Sequence, residues 1–255
     1  MRNVPIDLVD GLDSAVLAIA TDYPPGHVLP RHRHRRAQLL YGATGTMQVD
    51  TADGSWTIPP QRAVLIPPQT DHEVRMHGVS TRSLYLEPVA VPWFPVSCQV
   101  VAVSPLLREL LIAAVDLPVE RPPHGRESAL VTLLLHEIEA VSPLPFGLPM
   151  PADEALRARC EAFAASPGIG VAPHEWATGL GVSTRTFVRH FKTQTGLTFQ
   201  QWRQRACLVH AIRLLTSGHS VTHTAAALGY SSPAAFTAMF VKNAGSTPDA
   251  LRRGR

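Results

Sequence analysis

The feature that most constrains this chain is a pattern that occurs twice in its C-terminal part. Leu180, Gly181, Val182 and Ser183, followed by Phe187, Phe191 and Gly196, return as Leu228, Gly229, Tyr230 and Ser231, followed by Phe236, Phe240 and Gly245. The second copy carries one extra residue before its first Phe. In each copy an Ala-containing helical stretch ends at a Gly suited to a tight turn. A Ser then stands where it can cap the next helix, and a Phe pair at i, i+4 marks one face of that helix. This is the grammar of a helix-turn-helix unit, written twice. Between the copies, residues 199–216 read as one helix with Trp202, Leu208, Ile212 and Leu215 inward and Arg203, Arg205 and Arg213 outward. Gly181 and Gly229 are 48 residues apart, which leaves two such units little slack.

At about 100° per residue, the helix opened by Ser183 sets Phe187 and Phe191 on one face and Arg185, Arg189 and Lys192 on the other. Aromatic behind and cationic in front suits a recognition helix in a major groove, where Arg pairs with guanine and the Thr184 or Thr186 hydroxyl reaches bases or phosphates. An ordinary amphipathic surface helix can look the same; the repetition tips the balance. In the second copy Ala234, Ala238 and Val241 occupy the positions of those cations, with Ser231, Ser232, Thr237 and Lys242 as the nearby polar groups. The first unit is therefore expected to do most of the base reading, and the second to be positioned through phosphates and thymine methyl groups. Charge follows the same division. Residues 152–255 hold 12 Lys+Arg against 5 Asp+Glu, a balance of +7, and residues 1–151 hold 11 against 15, or −4, within a total of +3. A basic C-terminal part is the footprint of a polyanion partner.

The residues GVSTRTFVRHFK (181–192), TGL (195–197), AIRLL (211–215), ALGYSSPAAF (227–236) and STP (246–248) resemble the DNA-binding domain of the AraC/XylS family over roughly the last hundred residues. The sequence departs from the family pattern at Ala244, where an aromatic is usual before Gly245, and at Leu251. The resemblance implies a tandem helix-turn-helix domain that binds a double-stranded DNA operator, with RNA polymerase as a further candidate partner.

Upstream the signal changes. Residues 15–20, 37–41, 45–49, 55–58, 63–66 and 83–87 read as short strands separated by Gly, Pro and Asp, the mark of a sandwich or small barrel. Residues 105–115 and 127–141 carry apolar residues three and four apart and read as helices. These helices either cover the barrel's own face or form a homodimer seam. Residues 142–152, with Pro143, Pro145, Pro149 and Pro151, cannot continue a helix and read as a linker. The expected fold is α+β and multi-domain, with an effector-binding β-barrel over 1–100, a helical pair over 101–141, the linker, and an all-α domain over 153–255.

Gly26, His32, His34, Gln38 and Gly45, with Pro67 and His72 downstream, resemble the cupin motif pair, Gln38 standing where Glu is usual and Gln69 where Gly is usual. The resemblance implies that His32, His34, Gln38 and His72 converge inside the barrel on one divalent transition metal ion. His32 and His34, two apart on a strand, would face the same side, and imidazole suits zinc, nickel, iron or copper. Two alternatives stay open. A small organic effector can occupy the barrel without metal, or Arg31, Arg33, Arg35 and Arg36 can clamp an anionic one.

No apolar run approaches the roughly 20 residues of a membrane span, and residues 1–7 lack a signal peptide's apolar core, so a cytoplasmic location is expected. Cys98, Cys160 and Cys207 are odd in number without CxxC spacing and read as reduced packing residues. The expected function is a sequence-specific transcription regulator that answers a small-molecule or metal effector, and not an enzyme. A metal-dependent cupin enzyme carrying a DNA-binding domain and an accessory DNA-bending protein are the other classes considered.

Overall fold

A computed structural model describes residues 1–120, 122 and 124–253. The chain divides into two compact units that interleave in sequence: residues 1–50 with 58–144, and residues 51–57 with 145–255.

The first unit is a cupin-like sandwich. Strands β1 (Val16–Tyr23), β8 (Val79–Leu86), β3 (Ala37–Gly42), β6 (Arg62–Ile66), β9 (Gln99–Ala102) and β10 (Pro143–Leu144) form one sheet in that order. β3 lies inside the sheet and is buried along its whole length, as expected for a strand covered on both faces. Its registers, Gln38 opposite Tyr85 of β8 and Ile66 of β6, fix which side chains share a face. Strands β4 (Thr46–Thr51), β7 (His72–His77) and β2 (His27–His32) follow one another in the second sheet. Helices α1 (Pro105–Ala114) and α2 (Arg126–Glu139) lay Leu107, Leu110, Leu111, Leu134 and Ile138 onto the Leu39, Tyr41, Leu65 and Leu84 face of the first sheet. Their apolar stripes therefore cover their own unit.

The second unit holds α3 (Glu154–Ala165), α4 (Pro173–Gly179), α5 (Thr184–Thr195), α6 (Phe199–Thr216), α7 (Val221–Ala227), α8 (Pro233–Ala244) and α9 (Pro248–Arg252). Each helix-turn-helix turn passes through a left-handed Gly, Gly181 at φ 67° and Gly229 at φ 75°, a conformation a Cβ would strain. Helix α6 is buried nearly all round, with Trp202, Leu208, Ile212 and Leu215 inside as expected. Arg203, Arg205 and Arg213, expected outside, are half-buried. The Arg203 guanidinium donates to the Val171 carbonyl. Ala244 is buried, and α9 forms beyond it and packs on α6 and α8.

The Pro-rich stretch 142–152, expected as a linker, carries β10 and also β11 (Gly147–Pro149). In the second unit β11 pairs antiparallel with β5 (Gly54–Ile58), Gly147 opposite Trp56 and Pro149 opposite Gly54. Leu148 enters the core of Leu156, Trp176, Phe187, Phe191 and Trp202. All three cysteines are buried, and Cys160 and Cys207 are free thiols. Among the described residues no helix is long and apolar enough to cross a membrane.

Candidate nucleic-acid interface and effector pocket

Helix α5 starts where the Ser183 Oγ accepts from the Thr186 amide at 3.1 Å, and it ends at a left-handed Gly196. Its Phe187 and Phe191 rings each lie 5.4 Å from Phe199, and the pair closes on Trp176 and Trp202. Edge-to-face packing of this kind fixes ring orientation as well as burying area. The opposite face is thereby committed to solvent: Thr184, Arg185, Thr186, Arg189 and Lys192 are all exposed. Among the described residues no ion pair neutralises Arg185, Arg189 or Lys192. His190, beside them, stands 4.0 Å from the Asp153 carboxylate.

Helix α8 repeats the construction. Ser232 caps it by accepting from the Ala235 amide at 3.2 Å, Phe236 and Phe240 are buried, and Gly245 ends it in the left-handed region. Ser231 and Lys242 are exposed, Ser232 and Thr237 half-buried, and Ala234, Ala238 and Val241 point to solvent. α6, whose 18 residues span about 27 Å, connects the two units, so the spacing of the two recognition helices is built into one element.

In the first unit His32, His34 and His72 come together, with ring centroids 4.3 Å (His32–His72), 5.3 Å (His34–His72) and 6.2 Å (His32–His34) apart. His32 ends β2 directly opposite His72 at the start of β7. His34 lies beyond the strand rather than on it, so the expected two-apart alternation is not what brings it in; the bend toward β3 does. Each ring's Nδ1 meets a backbone carbonyl: Pro30 at 2.8 Å, Arg36 at 2.7 Å and Thr70 at 2.8 Å. A neutral ring that donates through Nδ1 keeps a lone pair on Nε2. Burial holds the pKa of His34 below its ordinary value, and it pushes His72 down to about 4. The His72 Nε2 is buried without a partner.

The amide of Gln38 sits 3.1 Å from His34 Nε2 and 3.4 Å from Ser83 Oγ. Tyr85 stands edge-on to His34 at 5.1 Å, and burial raises its hydroxyl pKa. Ser83 and Tyr85 escape a reading by motif, because they reach the site only through the pairing of β8 with β3. Among the described residues no three His, Cys, Asp or Glu side chains are disposed to hold a metal ion.

The arginine clamp is corrected for two of its four members. Arg36 is fully buried, pairing with Asp10 at 3.0 Å and Glu87 at 2.8 Å and donating to the Ser14 and Leu12 carbonyls. Arg35 binds the same two carboxylates at 3.2 and 2.7 Å. Both guanidinium groups are thus occupied in holding the N-terminal segment; Arg31 and Arg33 remain exposed.

An exposed cationic helix backed by aromatics, and repeated through a rigid connector, defines a DNA-binding module; the sandwich with an inward polar cluster defines a sensor. Comparison with known proteins agrees. Residues 176–254 match the helix-turn-helix domain family and residues 14–138 the AraC-like ligand binding domain family. The HTH-type transcriptional regulator NimR of Escherichia coli is 32% identical over 220 residues, 86% of this chain and 80% of that protein. The HTH-type transcriptional activator RhaS of Escherichia fergusonii is 39% identical over 80 residues, 31% of this chain and 29% of that one. A crystal structure of ToxT from Vibrio cholerae O395 has a TM-score of 0.40 at 10% identity, covering 94% of this chain and 98% of that one. The chain belongs to the AraC family of DNA-binding transcription regulators, with an AraC-like ligand-binding domain ahead of its helix-turn-helix domain. Its relatives are transcriptional regulators and not enzymes.

Proposed function

We propose that this regulator binds a double-stranded operator in the cytoplasm as a homodimer, through α5 and α8. Its occupancy would be set by a small molecule held at His32, His34, Gln38 and His72. The observation that carries the DNA half is the solvent-facing row of Arg185, Arg189 and Lys192 on a helix whose other face is locked in an aromatic core. Arg185 and Arg189 read guanine edges, Lys192 and the hydroxyls of Ser183, Thr184 and Thr186 hold phosphates or bases, and α8 is seated by Ser231, Ser232, Thr237 and Lys242. The single connecting helix α6 supports a fixed spacing of the two helices, suited to successive major-groove segments about 34 Å apart. Exposed Leu106 and Leu133, left over on α1 and α2 after those helices cover their own sheet, are the residues offered to a dimer partner. RNA polymerase is the further partner this reading calls for.

Footprinting the full chain on the DNA upstream of its own gene tests the proposal. Two protected half-sites, each spanning two adjacent turns, are expected, one for each protomer, and no protection above non-specific binding overturns the proposal. The division of labour has its own test. Arg189→Ala should lose more base discrimination than Thr237→Ala across operator variants, and the reverse order would reject it.

A metal ion is the second reading of the sensor site, favoured by three Nδ1 atoms tied to carbonyls and an orphaned His72 Nε2, the arrangement that orients imidazole ligands. Against it, among the described residues no three His, Cys, Asp or Glu side chains are grouped to hold a metal ion. Such an ion would be held by the three Nε2 atoms and the Gln38 carbonyl and would act as a Lewis acid toward an effector. Elemental analysis of untagged protein purified without chelator decides. Stoichiometric transition metal supports this reading, whereas its absence, with DNA binding indifferent to added zinc or nickel, removes it.

A further inference from the structure

We propose that α8 reads thymine by its C5-methyl group, so that the operator segment beneath it is specified by apolar contact rather than by hydrogen bonds. The inference rests on the DNA-binding reading above and deepens it by making methyl contact, rather than hydrogen bonding, the source of base specificity beneath α8.

Aligned through their buried Phe pairs, α5 and α8 have the same Ser cap, the same buried face and the same left-handed Gly stop. The face opposite the Phe pair is therefore the groove-facing one in both. On α5 it carries Arg185, Arg189 and Lys192; on α8 the same positions carry Ala234, Ala238 and Val241, all exposed. Val241 is 40% exposed. Helix propensity accounts for the alanines but not for Val241, since a β-branched residue is a poorer helix former than the Lys at the matching place in α5.

What the three share is a methyl-bearing surface with no donor or acceptor, short enough to bring the helix backbone close to the groove floor. The major groove displays one apolar group, the thymine C5-methyl. Polar residues border this surface: Ser231 and Ser232 at the start of the helix, half-buried Thr237 along the edge between Ala234 and Val241, and Lys242 in the last turn, where they can grip phosphates and seat the apolar face.

The test is affinity selection of the full chain on a randomised duplex pool, followed by replacement of thymine by deoxyuridine in the selected site. This change removes the methyl and leaves every hydrogen-bonding group in place. Ala238→Arg identifies the segment beneath α8, where it should convert one preferred T·A pair to G·C. Wild-type protein should select thymines in that segment, and each methyl lost from a contact should weaken binding about fourfold. Val241→Ala should blunt the response to one of those substitutions. A segment without thymine preference, or affinity unchanged by deoxyuridine, overturns the proposal. Selection that enriches no sequence at all is a different failure, which removes the DNA-binding reading and this inference with it.

Discussion

A single guanidinium shows how much one residue can hold. Arg36 has no solvent and faces two carboxylates and several carbonyls of the N-terminal segment, whereas Arg35 beside it is 43% exposed on the same carboxylates. Removing Arg36 takes a buried donor from the Leu12 carbonyl and leaves Asp10 and Glu87, each about a quarter exposed, to Arg35 alone, so Arg36→Ala should cost about 2–4 kcal/mol of stability. Arg35→Ala should cost under about 1 kcal/mol. Urea denaturation of the full chain measures both, and equal losses would show that the pair is not divided by burial. The His32–His34–His72 grouping was legible from motif spacing. The task of Arg36 was not, because in HRHRR it looks like one more surface charge, and its partners Asp10 and Glu87 lie far off along the chain.

His210 on α6 supplies a pH dependence. Burial first, and Arg213 second, lower its pKa below the ordinary 6.5, with the Ala164 carbonyl opposing them. The unfolded chain takes up this proton more readily than the folded one. The stability that neutral His210 contributes is therefore present above about pH 6.5 and is lost as pH falls below it, through the folded value. Thermal melts should show a shallower loss between about pH 7 and 5 in His210→Gln than in wild type; matching slopes would rule His210 out as the source.

Among elements, α5 and α8 depend on their caps. Ser183→Ala and Ser232→Ala each remove an acceptor from an otherwise orphan amide and should each cost about 1 kcal/mol, read as a lower melting temperature. Helical periodicity found α1, α2 and α6 nearly to the residue, because an apolar stripe at helical spacing is a local signal. Strand patterning left β2, β7 and β9 out of its apolar runs, although the motif spacing had already set His32 on a strand. β2 is an edge strand with no residue fully buried, so it lacks the apolar run that marks a covered strand, and its Pro30 stands where the register with β7 shifts between Leu29 and His32, an edge-and-bulge position that tolerates Pro. The prolines of 142–152 misled for a related reason: they bar a helix but not the two- and three-residue strands found there.

At the scale of the whole molecule, the DNA-binding unit is not a continuous C-terminal piece. It includes residues 51–57, held by Gly147–Trp56 pairing, by the Met150 amide on the Asp53 carbonyl at 2.9 Å and by Arg157 on the Ala52 carbonyl at 2.7 Å. Gly147 is obligatory there, since a Cβ would stand 2.6 Å from the Trp56 Nε1. From the side of β11, Leu148 fills the recognition-helix core and the Pro149 carbonyl receives the Trp202 indole N–H at 2.7 Å. A fragment of residues 153–255 should therefore be less stable than one of 145–255 by about 2–4 kcal/mol, one buried Leu plus one hydrogen bond. Equal denaturation midpoints would show β11 to be a passenger.

Repeats, periods and motif spacings are written within a few turns of chain, and they already carried the two-part plan, the tandem recognition helices with their opposed faces, and the grouping of three histidines. It took the packing of distant segments to make Arg36 a buried clasp, to line the sensor site with Tyr85 and Ser83, and to assign residues 51–57, from the sensor's stretch of sequence, to the DNA-binding unit. Each of these depends on which distant segments pack together, and packing selects its partners by shape and unmet hydrogen bonds after the local elements have formed.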